Sequence, residues 1–127
     1  GEEDPEQEAR RYAAAVRAEL PLQDGLPRFD AVVLGIGDDG HTASIFPHTP
    51  GLLTDPACYA VSRHPVTGQW RITGPLILNG AELLFPVIGP GKAEILQKID
   101  GPQGAEYPAG YILRRAERAA VYTNCKI

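Results

Sequence analysis

The stretch FDAVVLGIGDDGHTASIFP, residues 29–47, decides how the rest of the chain is read. Its opening run, Phe29 to Leu34, is short, apolar and valine-rich, with no charge after Asp30. That composition suits a strand buried on both faces of a parallel sheet. Gly35 and Gly37 then interrupt the run, and because glycine lets a ligand or a second backbone come close, the pair marks a tight exit from the strand. Asp38, Asp39 and His41 follow at once. A strand, a glycine turn and then polar residues opening a short helix is how α/β proteins present ligands, at the carboxyl ends of their strands.

Toward the N-terminus, PEQEARRYAAAVRAEL (residues 5–20) is acidic at its start and places Tyr12, Val16 and Leu20 four apart on one face. This predicts an amphipathic helix, capped by Asp4, opened by Pro5 and stopped by Pro21. PLQDGLPR (residues 21–28) reads as a loop, as does HTPGLLTDPAC (residues 48–58), which could cover a site. Short strands are expected at 59–63 and 69–73, followed by a turn and a short helix. Residues 83–88 read as another buried strand, moved toward a sheet edge by Pro86. A helix opens within GPGKAEILQKI (residues 89–99), where Ala93, Ile95, Leu96 and Ile99 form an apolar stripe closed by Gly101 and Pro102. YILRRAER (residues 111–118) is a third helix, leading to a terminal strand at 119–123. Strands alternating with helices predict an α/β fold, a mostly parallel sheet flanked by helices, in one domain without repeats or linkers.

Net charge is −4 and the pI about 5.3, so no basic field draws nucleic acid or an anionic membrane, and an anionic substrate would need local cations. Cys58 and Cys125 lie far apart without a CxxC or Cys/His spacing, which argues against zinc and against a disulfide scaffold; a reducing cytoplasm is the expected location. No apolar run approaches the roughly 18 residues that span a bilayer, and GEEDPEQEARR at the start is acidic rather than signal-like. Methionine is absent, even at position 1, as in a processed or truncated chain.

His41, at the predicted opening of a helix, would lie against the positive end of the helix dipole, which keeps an imidazole neutral and basic. A surface or capping histidine is the alternative, and the glycine-framed context favours the base. Asp39 could orient that imidazole or cap the helix; Asp38 reads as solvated. Backbone N–H groups from Gly37 to His41, Gly37 and Gly40 among them, could stabilise an oxyanion. Thr42 and Ser44 read as backbone-bonding residues, because the GxSxG elbow of a serine nucleophile is missing. GIGDDG is not a dinucleotide fingerprint, and His41, His48 and His64 are not at metal-ligand spacings. Lys92 opens a helix, where the dipole opposes it; a bound anion, phosphate above all, would explain it, as would simple exposure to solvent. Arg71 could reach a site or pair on the surface.

LGIGDDGHTASIFP (residues 34–47) closely resembles the signature of the 6-phosphogluconolactonases, LGxGxDGHTASLFP. RIT (71–73), GPLILNGAELLF (74–85) and VIGPGKAEIL (87–96) are similar to that family's later segments, in the same order. The related glucosamine-6-phosphate deaminases share GxGxDGH but continue to an Asn-Glu-Pro tail, where this chain has Thr42, Ala43, Ser44, Ile45 and Phe46. The resemblance implies a Rossmann-like, NagB-type fold and hydrolysis of 6-phospho-D-glucono-1,5-lactone to 6-phosphogluconate, in the oxidative pentose phosphate pathway, without metal or cofactor. It implies His41 as catalytic base, Asp39 as its organiser, and Arg71 and Lys92 as phosphate ligands. It also implies that residues 1–127 are the C-terminal part of one domain about twice as long, whose N-terminal half would be a partner or a missing segment. The alternatives are an amino-sugar-phosphate deaminase or isomerase, and a non-catalytic sugar-phosphate-binding module.

Overall fold

A computed structural model of the chain describes residues 4–126. The Asp4 carboxylate accepts the Glu6 N–H at 3.2 Å and Pro5 takes the first helical position, so α1 runs Pro5–Glu19 and ends at an extended Leu20. Its burial is thin. Ala9 is buried, whereas Tyr12 stays 42% exposed and meets Tyr59 edge-on with ring centroids 4.7 Å apart. The segment expected as loop after α1 is instead a hairpin, β1 (Leu22–Gln23) antiparallel to β2 (Leu26–Pro27). Asp24 and Gly25 between them have φ of 53° and 80°, the two-residue turn that an Asp-Gly pair favours.

Five strands follow: β3 (Val32–Val33), β4 (Ala60–Arg63), β5 (Trp70–Thr73), β6 (Leu83–Pro86) and β7 (Ala119–Tyr122). The main sheet is parallel, in the order β3-β6-β7, with Val32 opposite Leu83 and Leu83 opposite Ala119. Its first strand is the predicted one, extended by the bonds Val32 N–H to Glu82 O and Leu34 N–H to Leu84 O, both 2.9 Å, and by a bridge from Phe29 to Gly80. Pro86 does not push β6 to an edge: β6 is the middle strand. The Leu83 and Val87 N–H groups face β7, bonding Arg118 O and Tyr122 O, so the Pro86 nitrogen faces β3, past the last ladder bond to Leu84.

Side chains alternate across the sheet. Leu34, Leu83, Phe85 and Val87 turn to one face, where α2 (Ala93–Asp100) and α3 (Pro108–Arg115) cover them with Ile95, Leu96, Ile99, Ala109 and Ile112. On the opposite face the register gathers Val33, Leu84 and Ala120, and Val33 is 67% exposed. The expectation of burial on both faces therefore holds for one face among the described residues. The helix expected after β5 is only a 3-10 turn, Pro75–Asn79, whose Asn79 amide donates to the Leu26 and Pro27 carbonyls. A second such turn, Pro90–Lys92, precedes α2. α3 starts at Pro108 rather than Tyr111, and Arg118 is drawn out of the helix because its carbonyl accepts the Leu83 N–H at 2.9 Å.

β4 and β5 form a separate antiparallel hairpin, with Ser62 opposite Arg71 and Ala60 opposite Thr73. Buried hydroxyls fasten it to the loop after β3. Thr73 Oγ1 accepts the Ser44 N–H at 3.1 Å, and Ser62 Oγ donates to Ser44 O at 2.5 Å. Ser44, Ser62 and Thr73 are all buried, so each bond replaces one that water would otherwise make. Thr73→Val keeps the shape but strands the Ser44 N–H, and should destabilise the intact protein by about 1–3 kcal/mol. Urea unfolding measures this, and a loss under about 0.5 kcal/mol would show that the hydroxyl is not the fastener.

Candidate active site

Parallel strands end on the same side of a sheet, so the segments leaving β3, β6 and β7 meet there. Lys92 Nζ reaches from the second segment to Ile36 O of the first, at 2.9 Å. The third segment holds the second: Asn124 Oδ1 accepts the Gly89 N–H at 3.2 Å, and the Cys125 thiol donates to Gly89 O at 2.9 Å. His41 stands on the first of these three bonded segments, the one that leaves β3.

Asp39 Oδ1 accepts two bonds from His41, one from the backbone N–H at 3.0 Å and one from ring Nδ1 at 2.5 Å. A proton on Nδ1 directed at a carboxylate leaves Nε2 with its lone pair, the tautomer a general base needs. Partial burial pushes the Asp39 carboxyl upward, but the bonds from the His41 N–H and ring outweigh it and hold the group below the ordinary carboxylate range. Asp39 thus stays ionised, and keeps its grip, as pH falls through that range; the grip is lost only as pH falls through the depressed value.

The predicted helix at His41 does not form. Thr42 and Ile45 bridge across a tight turn in which Ala43 has φ of 50°. The Thr42 hydroxyl donates to Gly35 O at 2.8 Å, and the Ser44 backbone is claimed by Thr73 and Ser62, so side-chain bonds win over a helical ladder. A helix dipole therefore does not act on His41; Asp39 does. The Thr42 hydroxyl bonds backbone as expected, whereas at Ser44 the bonded groups are its backbone N–H and carbonyl.

Gly37 is where the imidazole lies. A Cβ there would stand 2.1 Å from His41 Cε1 and 2.2 Å from Nδ1, inside any real contact. Gly40, at φ 83°, is as constrained, because a Cβ would stand 2.5 Å from Tyr107 Cδ1, while its carbonyl accepts the Ala109 N–H at 3.0 Å and docks α3. The oxyanion role expected of these two glycines is corrected here. The Gly37 N–H donates to His41 O and the Gly40 N–H to Gly37 O, each at 2.9 Å, so both donors close the loop rather than face a ligand.

Behind the site, the fully buried Phe46 ring is ringed by all three histidines of the chain. Its centroid lies 4.7 Å from His41, 5.7 Å from His48 and 5.3 Å from His64. His64 Nδ1 accepts the Val66 and Thr67 N–H groups, each at 3.1 Å, so this histidine builds the β4–β5 turn. Spacing could not reveal that clustering, because the hairpin brings His64 back. Lys92, with a side chain 29% exposed, also bonds Asp38 Oδ1 at 2.9 Å. Asp38 is exposed but paired, and the pairing joins residues 54 apart in sequence. Arg71 stands apart on β5, its guanidinium donating to Gln69 Oε1 at 3.3 Å. It shares its face of the strand with Thr73, the face that holds Ser44. The structure thus joins His41, Asp39 and Lys92 directly through one loop, and Arg71 only through the hairpin. Among the described residues no three His, Cys, Asp or Glu side chains gather as a metal site, and no helix is long and apolar enough to cross a membrane.

The family model described as glucosamine-6-phosphate isomerases/6-phosphogluconolactonase matches residues 1–122. A 6-phosphogluconolactonase of Treponema pallidum is 43% identical over 110 residues, covering 85% of this chain and 46% of that protein. One from Synechocystis is 37% identical over 117 residues, covering 90% and 49%. The solved 6-phosphogluconolactonase of Trypanosoma brucei superposes with a TM-score of 0.77 at 26% identity, over 92% of this chain and 50% of that one. The chain spans about half the length of the relatives it matches. With the glycine turn, the Asp39–His41 pair and the parallel sheet in place, the chain belongs to the glucosamine-6-phosphate isomerase/6-phosphogluconolactonase family.

Proposed function

We propose that this chain carries the catalytic side of a 6-phosphogluconolactonase, which hydrolyses 6-phospho-D-glucono-1,5-lactone to 6-phosphogluconate in the oxidative pentose phosphate pathway. The observation that carries the reading is the imidazole of His41, seated over Gly37 with Nδ1 bonded to Asp39 and Nε2 left as the base. His41 Nε2 takes a proton from water as the oxygen attacks the lactone carbonyl carbon. The tetrahedral intermediate collapses by breaking the bond to the ring oxygen, which receives the proton back from the imidazolium and becomes a hydroxyl. Asp39 orients the ring and stabilises its charged form. Lys92 and Arg71 bind the phosphate, supplying the cations that a chain of net charge −4 must concentrate locally.

In the intact protein, His41→Gln should lower kcat about 10²–10⁴-fold. Asp39→Asn should lower kcat with a smaller effect on KM, and Gly37→Ala should lower kcat by displacing the imidazole. Steady-state lactone hydrolysis, followed by proton release, measures all three; near-normal kcat in the His41 variant would refute the base assignment. The family description also spans isomerases of amino-sugar phosphates. Ammonia release from glucosamine 6-phosphate without lactone hydrolysis would decide for that second reading.

The same reading makes residues 1–127 the C-terminal part of a single larger domain. It is supported by the half-length match and by the sheet face of Val33, Leu84 and Ala120, which parallel sheets ordinarily cover. Among the described residues β3 is also an edge strand, since its Val32 and Leu34 N–H groups face β6 and that of Val33 points away. If the relatives' other half adds a strand there, the Val33 amide should be strongly protected from hydrogen exchange in the intact protein. Rapid exchange at Val33 would sink the idea.

A further inference from the structure

The two adjacent carboxylates of the glycine turn serve different partners. Asp39 is taken up by His41, whereas Asp38 pairs with Lys92 of the segment that follows β6. Lys92 Nζ has three N–H donors: one goes to the partly buried Ile36 carbonyl and one to Asp38 Oδ1, both at 2.9 Å. The two bonds are unequal in kind. The Ile36 bond anchors the ammonium to the backbone of the site, while the Asp38 side chain is 81% exposed and has no other bond among the described residues. An exposed pair of this sort is weak and readily exchanged.

We propose that Asp38 sets the affinity of this site for phosphorylated ligands, by occupying Lys92 as an internal anion that an incoming phosphate must displace. The inference rests on the phosphate-binding role given to Lys92 above. Displacement needs no movement of the cation, because Ile36 O holds Nζ where it is while the Asp38 carboxylate swings into solvent. A dianionic phosphate gains more from the ammonium than the single charge it replaces, so the exchange favours phosphate over singly charged anions. Until it is displaced, the Asp38 carboxylate neutralises the cation and weakens its pull on singly charged anions.

The test is calorimetric titration of the intact protein with inorganic phosphate and with 6-phosphogluconate at low ionic strength. Asp38→Asn and Asp38→Ser should each tighten binding about threefold or more, the scale of an exposed ion pair, and the gain should shrink as salt is added. In a Lys92→Gln background the gain should vanish. Unchanged or weaker binding in both Asp38 variants, or a gain that survives without Lys92, overturns the proposal. Absence of lactone hydrolysis by the wild-type protein would count against the catalytic reading instead, so the two failures are distinguishable.

Discussion

One carboxylate oxygen organises the site: Asp39 Oδ1 receives both the backbone N–H and the ring Nδ1 of His41. The surrounding constraints serve that grip. Gly37 must lack a side chain because the imidazole occupies the place of its Cβ. The loop closes on itself through Gly37 N–H to His41 O and Gly40 N–H to Gly37 O, and Phe46 backs the ring. A loop whose donors are spent on its own carbonyls has little freedom to move its histidine, and such preorganisation is worth most when the reacting geometry must be met without rearrangement.

Parallel pairing supplies the second half of the arrangement. Because β3 and β6 run in the same direction, their exits lie together, and Lys92 can reach the carbonyl of Ile36 from the second exit. Pro86 is tolerated in a middle strand because its nitrogen faces β3 past the last ladder bond, that of the Leu34 N–H to Leu84 O. The hairpin of β4 and β5 contributes differently. It is tied to the turn after His41 by buried hydroxyls, which brings Arg71 to the side of Ser44 and carries His64 to Phe46.

Much of the secondary structure was legible from pattern. Asp4-Pro5 and Pro21 bound α1, the apolar spacing of Ile95, Leu96 and Ile99 marks α2, and the valine run before Gly35 marks the strand that opens the site. Two of the misreadings come from bonds that compete with the expected backbone pattern. Asp24-Gly25 builds a hairpin where the flanking Pro21 and Pro27 read as loop. The hydroxyls of Thr42, Ser62 and Thr73 take the backbone of residues 35–45 out of helix, so the dipole argument for His41 fails although the residue stands where a base is wanted.

The sequence by itself determined the chemistry available: an aspartate two residues before a histidine, glycines flanking both, and cations far down the chain. Two-residue spacing is short enough for Asp39 to bond both nitrogens of the His41 backbone and ring, so that pair is a local consequence of the order of residues. Only the tertiary structure decided the rest. Lys92 meets Asp38 and Ile36 because two parallel strands end side by side, and the Gly37 and Gly40 donors are lost to a ligand because the loop folds back on itself. Sequence spacing cannot report either fact, since hydrogen-bond direction and the meeting of distant segments exist only once the backbone has closed.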